Sequence, residues 1–136
     1  MSVAIEALLP HRPPMRWVEE LISCTDTTAI ATVRFTKNHF AVANGAVIEA
    51  ALIECLAQTV AAALGQGRRT DTGDDAAHHG LLAAVANFQI HQPVPLEQTL
   101  QAETTEVKRL GPMRLINGRI TWNAQLIASG DLSLYA

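Results

Sequence analysis

The chain has only two cysteines in 136 residues, Cys24 and Cys55, and they lie far apart with no CxxC spacing. This excludes a disulfide framework and a zinc knuckle, and Cys55 reads as a small core residue. Charge is also scarce, with 17% of residues charged and a formal net charge of −3. A generally nucleic-acid-seeking surface is therefore excluded, and the 49% hydrophobic content excludes disorder. The first ten residues lack both a basic stretch and a long apolar run, so no signal peptide is expected and a reducing cytoplasm is the expected location. No internal repeat is evident. A single domain over residues 1–136 is expected, large enough to bury a core without disulfide or metal staples.

The longest apolar run, residues 47–64, is interrupted by Glu49, Glu54, Gln58 and Thr59. A glutamate at mid-bilayer is costly, so the run reads as a helix buried in a soluble protein and not as a membrane span. Asn44 and Gly45 are expected to mark its start and Gly65 its end, with Glu49 in the early turns where the helix dipole favours an anion. Gln58 falls one turn beyond Glu54 on the same side, giving a narrow polar stripe on an apolar cylinder. A carboxylate withdrawn from water holds its proton more tightly. Glu54, buried among Leu52, Ile53, Leu56 and Ala57, would then be an acid, and the neutral ring of His39 upstream would be a base.

The remainder reads mostly as strand. Residues 29–36 alternate, with Ala29, Ala31, Val33 and Phe35 on one face and Thr32, Arg34 and Thr36 on the other. Residues 16–24 form a plausible partner strand through the turn at Thr25, Asp26 and Thr27. Residues 65–80, rich in Gly, Asp and Thr, are expected to be an exposed mobile loop. Strands follow at 81–91, 99–109, 113–122 and 126–134, the last two joined by a tight turn at Asn123 and Ala124. The fold class expected is α+β, an antiparallel sheet packed against one long buried helix.

Residues 9–15 read LPHRPPM, followed by Val18 and Glu19, by Asn38, His39 and Phe40, and by LIECLAQ at 52–58. In this order they resemble the 3-hydroxyacyl-(acyl carrier protein) dehydratases of the hot-dog fold, whose sequences carry an LPHR-x-P opening, a GHFPG turn and a helix reading LE-x-x-AQ. The segment from residue 81 onward is similar to the family's later strands, so the likeness spans nearly the whole chain. Three features depart from the usual pattern: Ala41 and Val42 stand where the family has Pro-Gly after the Phe, Glu49 and Ala50 stand where it usually has Pro-Gly at the helix start, and the separation of His39 from Glu54 is one residue longer. Together with the PM at 14–15 and the AQT-x-AA at 57–62, these departures resemble a divergent branch associated with aryl-polyene and related polyketide-like clusters.

The resemblance implies a sheet wrapped around the central helix, paired across a two-fold axis as a homodimer or a dimer-based higher oligomer, with His from one subunit facing the acid of the other. Carried over, His39 and Glu54 are the catalytic pair. His39 would take the C2 proton of a 3-hydroxyacyl thioester, and Glu54, with Gln58 nearby, would protonate the departing C3 hydroxyl. Gln58, Phe40, Gly45 and Ala46 are the expected substrate-contacting residues, with backbone N–H groups of 44–47 available to a thioester carbonyl that gains charge. The resemblance implies no metal or redox cofactor, and a substrate that rides on the phosphopantetheine of an acidic acyl carrier protein or of CoA. Neither nucleic acid nor membrane is an expected partner. Arg68, Arg69, Lys108, Arg109, Arg114 and Arg119 are candidates for a local basic patch that meets the carrier.

Each residue also has a plainer reading. His39 would be a turn histidine bound to backbone, and Glu54 a buried acid neutralised by Arg12 or Arg16. His11 and Arg12 would position the chain's entry to the sheet or line the site, and the structural role is favoured. His78 and His79 beside Asp74 and Asp75 imitate a metal site but read as solvated loop. The alternatives to a dehydratase are an acyl thioesterase, in which a helix carboxylate directs water at the thioester carbonyl, and a non-catalytic acyl- or carrier-binding module.

Overall fold

The computed structural model describes residues 4–9, 11–12, 15–72 and 81–135, with 67–72 and 81 described by their backbone alone. A short 3-10 turn, Ile5–Ala7, precedes strands β1 (Val18–Cys24) and β2 (Thr28–Arg34). A two-residue hairpin, β3 (Val42–Ala43) and β4 (Ala46–Val47), leads into helix α1 (Glu49–Thr72). The chain finishes in β5 (Leu81–Ile90), β6 (Thr99–Leu110), β7 (Met113–Trp122) and β8 (Gln125–Tyr135). Six strands form one antiparallel sheet in the order β1-β2-β6-β7-β8-β5, so β5 leaves the helix for the far edge while β6 returns to the middle. This is the α+β arrangement expected, a sheet curved around one helix.

Alternation sets the inner face. Ala29, Ala31 and Val33 of β2, with Phe35 just beyond it, are buried, as are Leu100, Ala102 and Thr104 of β6. Register places Ala31 opposite Ala102, and Ala102 opposite Ile120. Small residues at the middle of the sheet let the helix come close. A methyl group at Gly118 would stand 2.7 Å from Leu56 Cδ1, so this glycine is where α1 rests on β7. Ala51, Leu52, Cys55, Leu56 and Ala62 are fully buried in the same cluster. The two-residue turn at Asn123 and Ala124 has φ of 50° and 64°, the left-handed pair that matches the twist of a tight hairpin.

Two boundaries differ from the sequence reading. Asn44 and Gly45, with φ of 53° and 77°, do not begin the helix; they form the turn between β3 and β4, and the helix starts four residues later at Glu49. The Asn-Gly pair is a hairpin signal as well as a helix-boundary signal, and here the hairpin wins. Gly65 does not end α1 either, because the helix continues to Thr72. An interior glycine costs only about 1 kcal/mol relative to alanine, and Gly65 lies buried within the helix, where packing outweighs that cost. Residues 65–72 of the expected mobile loop are therefore helix, and 73–80, with the His78–His79 and Asp74–Asp75 pairs, lie outside the described residues.

Candidate active site

Gln58 is the structural hinge of the site. It is fully buried on α1, and its Nε2 donates to the carbonyl of Met15 at 2.8 Å and to Glu54 Oε1 at 3.3 Å. Its Oε1 accepts the backbone N–H groups of Trp17 at 2.9 Å and Val18 at 3.3 Å. A carbonyl can only accept and an N–H can only donate, so these partners fix which end of the amide faces which way. One side chain thus ties the start of β1 to the helix and holds one oxygen of Glu54.

Glu54 differs from the sequence expectation in its surroundings. Its side chain is 33% exposed in the single chain, half-buried where full burial among leucines was expected. Leu52 and Leu56 are buried, whereas Ile53, Glu54 and Ala57 are only partly covered, because three neighbours around a helix cannot all face one sheet. Its titratable neighbour is His11, whose Nε2 lies 3.3 Å from Glu54 Oε1. Neither Arg12 nor Arg16 neutralises it. Arg12 binds the carbonyls of Leu9 at 2.7 Å, His11 at 2.9 Å and Glu6 at 3.1 Å, and Arg16 pairs with Glu6. Arg12 therefore clamps the N-terminal segment that delivers His11. The sequence offered His11 as a residue that could line the site, through the HR step of the LPHR opening, but not its pairing with Glu54. Because Oε1 takes both contacts, Oε2 has no hydrogen-bond partner among the described residues.

His39 sits in the turn after β2, with its N–H bonded to the Thr36 carbonyl at 3.0 Å. Three rings hold it: Phe40 stacked at 5.2 Å, and Phe35 and Trp17 edge-on at 5.2 and 5.9 Å. Burial lowers its affinity for a proton below the usual imidazole range, so the neutral ring prevails at neutral pH. Ala41 donates its N–H to His39 Nδ1 at 3.0 Å, as the turn-histidine reading supposed. Ala41 stands where the resembled pattern has proline, and proline has no N–H to give.

A cavity of about 440 Å³ opens beside this ring, lined by Trp17, Asn38, His39 and Phe40 with Arg16, Glu19 and Arg34. Glu54 and Gln58 are not in its wall. Trp17 joins the two groups, since its backbone bonds Gln58 while its ring meets His39 and Phe40. Gly45 and Ala46 lie on the exposed β3–β4 hairpin. Of the expected basic patch, Arg114 and Arg109 both turn onto Glu106, at 2.8 and 3.2 Å, so they balance an internal acid. The side chains of Arg68 and Arg69 lie outside the described residues. Among the described residues no cluster of His, Cys, Asp and Glu could hold a metal, and no helix is long and apolar enough to cross a membrane.

The profile of the ApeP-like family, described as ApeP dehydratase, matches residues 3–136. The chain belongs to that family. It is a dehydratase of the hot-dog fold, as the motifs at 9–15 and 52–58 had implied. A search of curated proteins finds no match. Among solved structures, the dehydratase heterocomplex ApeI:P from Xenorhabdus doucetiae superposes with a TM-score of 0.85 at 17% identity, covering 99% of this chain and 91% of that chain. The HP0420 homologue from Helicobacter felis gives 0.72 at 15% identity, over 98% and 89%. A hypothetical thioesterase with coenzyme A from Streptococcus pneumoniae gives 0.66 at 11% identity, over 85% and 86%. At these identities the superpositions establish the fold that ApeP-like dehydratases share with thioesterases, and no more.

Proposed function

We propose that the protein removes water from 3-hydroxyacyl thioesters carried by acyl carrier protein or CoA, in polyene-type or fatty-acid synthesis, with Glu54 and His39 as the catalytic pair. The observation that carries this reading is the divided carboxylate of Glu54, with Oε1 held by Gln58 and His11 and Oε2 left without a partner among the described residues. Such a group has one oxygen fixed for aim and one free for proton transfer. The elimination breaks C2–H and C3–O, forms C2=C3, and releases the hydroxyl as water. The proton from C2 and the hydroxyl from C3 leave together as water with no net oxidation of the substrate, so the proposed chemistry uses no redox cofactor.

A second hot-dog chain is part of the proposal. The β5 edge leaves one row of backbone groups unpaired among the described residues and exposes Leu82, Val85 and Ile90 at 39%, 38% and 42%. Pairing two copies through such edges extends the sheet and covers that apolar row. In the proposed homodimer, His39 of one chain meets Glu54 of the other, which accounts for the absence of Glu54 from the His39 cavity of the single chain. The similar Xenorhabdus doucetiae structure is a dehydratase heterocomplex, which supports a second chain as part of the proposal. The proposed location is cytoplasmic, in keeping with two free cysteines.

Replacing Glu54 by glutamine keeps shape and hydrogen bonding while removing the transferable proton. Enoyl formation by Glu54→Gln is expected to fall by about 10² to 10⁴ with folding unchanged. Undiminished turnover would overturn the assignment.

A further inference from the structure

A neutral imidazole carries one hydrogen and one free lone pair, on different nitrogens. Ala41 N–H points into Nδ1 of His39 at 3.0 Å, which places the ring hydrogen on Nε2. We infer that His39 serves the site as a hydrogen-bond donor through Nε2–H, and that Glu54 alone both takes the C2 proton and returns it to the departing C3 hydroxyl. This assignment rests on the dehydratase reading above and reverses the base role that the sequence resemblance had implied for His39.

The turn makes the arrangement hard to undo. Nδ1 and the Ala41 N–H belong to the same short segment, whose backbone is closed by His39 N–H on Thr36 O at 3.0 Å and Val42 N–H on His39 O at 2.9 Å. Turning the ring over would bring a C–H against the Ala41 N–H and disturb the stack on Phe40, 16° from parallel, and the edge contacts with Phe35 and Trp17. The bonded nitrogen therefore faces the protein's own backbone, and the nitrogen that carries hydrogen is the one left for the adjoining cavity, of which His39 forms part of the wall. An N–H there suits the thioester carbonyl oxygen, on which negative charge grows as C2 loses its proton.

The balance then closes on one carboxylate. Glu54 Oε2 accepts the C2 proton, the C–H electron pair forms the C2=C3 bond, and C3–O breaks. The same proton passes from Glu54 to the leaving oxygen, which departs as water and leaves the carboxylate as it began. Gln58 Nε2 and His11 Nε2 stay on Oε1 throughout, so Oε2 serves both steps on the same face of the substrate.

His39→Gln tests the role, because a glutamine amide can supply an N–H near the Nε2 position but cannot act as a base. A donor role predicts that kcat of His39→Gln stays within about tenfold of the parent while His39→Leu loses about 10² or more. It also predicts an unchanged acid limb of the pH–rate profile in His39→Gln. Equal and severe losses in both variants would overturn the inference. Independently of any variant, ¹⁵N NMR of the unmodified protein at neutral pH should show His39 as the Nε2–H form, and an Nδ1–H form would overturn it. If the parent makes no enoyl product at all, the dehydratase reading fails by that observation, and the NMR tautomer still decides what the ring offers.

Discussion

At the scale of single residues, Gln58 organises the candidate site more than the glutamate beside it does. Gln58 is fully buried and makes four hydrogen bonds, two to backbone N–H groups, one to a backbone carbonyl and one to Glu54. Gln58→Leu conserves volume but leaves those buried groups without this partner, and each such loss costs about 1–3 kcal/mol. A total loss of about 3 kcal/mol in urea unfolding is expected, together with reduced turnover because Oε1 of Glu54 loses its anchor. A variant as stable as the parent would contradict this. The polar stripe of Glu54 and Gln58 was legible in the sequence from helical spacing alone. The contact between His11 and Glu54 was not, because 43 positions separate the two and only the folded N-terminal segment, clamped by Arg12, brings them together. The hydrogen bond from Ala41 to His39 was equally hidden: sequence shows that proline is missing, but not that the freed N–H points at the ring. Cys55 behaves as read, with burial and then the nearby Glu54 charge pushing its thiol well up, as befits an inert core residue.

At the scale of elements, alternation and turn chemistry carried most of the strand assignments. Residues 113–122 are strand β7 as read, and Asn123 and Ala124 form its hairpin turn. The helix was harder to bound, since Gly65 and the Gly- and Asp-rich stretch after it carry local signals for a stop that packing overrides as far as Thr72. The edge strand β5 has a register shift between Ala86 and Gln89 and a left-handed Asn87 at φ 56°, and there Phe88 closes over Gly130 of β8. A methyl group at Gly130 would stand 2.7 Å from Phe88 Cδ1 and 3.0 Å from Phe88 Cα, so backbone as well as side chain must move. Gly130→Ala is expected to cost about 1–3 kcal/mol in urea unfolding by displacing β5. A variant with unchanged stability would show that β5 is not seated on this glycine. Gly118, whose added methyl would meet only the Leu56 side chain, is the milder control.

At the scale of the whole molecule, the sheet order and the single helix leave the candidate residues in two separate groups within one chain. The Glu54–Gln58 pair lies on α1 and the His39 ring lies beside a separate cavity, with Trp17 touching both. The hot-dog fold also supports thioesterases, so the fold does not choose between breaking C3–O and breaking the thioester, and family membership makes that choice. Both reactions begin from the same 3-hydroxyacyl thioester and differ in product. The most direct measurement is therefore to follow enoyl formation and free-thiol release together when the protein is given a 3-hydroxyacyl thioester. Enoyl thioester is expected to accumulate with multiple turnovers while thiol release stays at the uncatalysed rate. Stoichiometric thiol release without enoyl product, or bound substrate that never turns over, would contradict it.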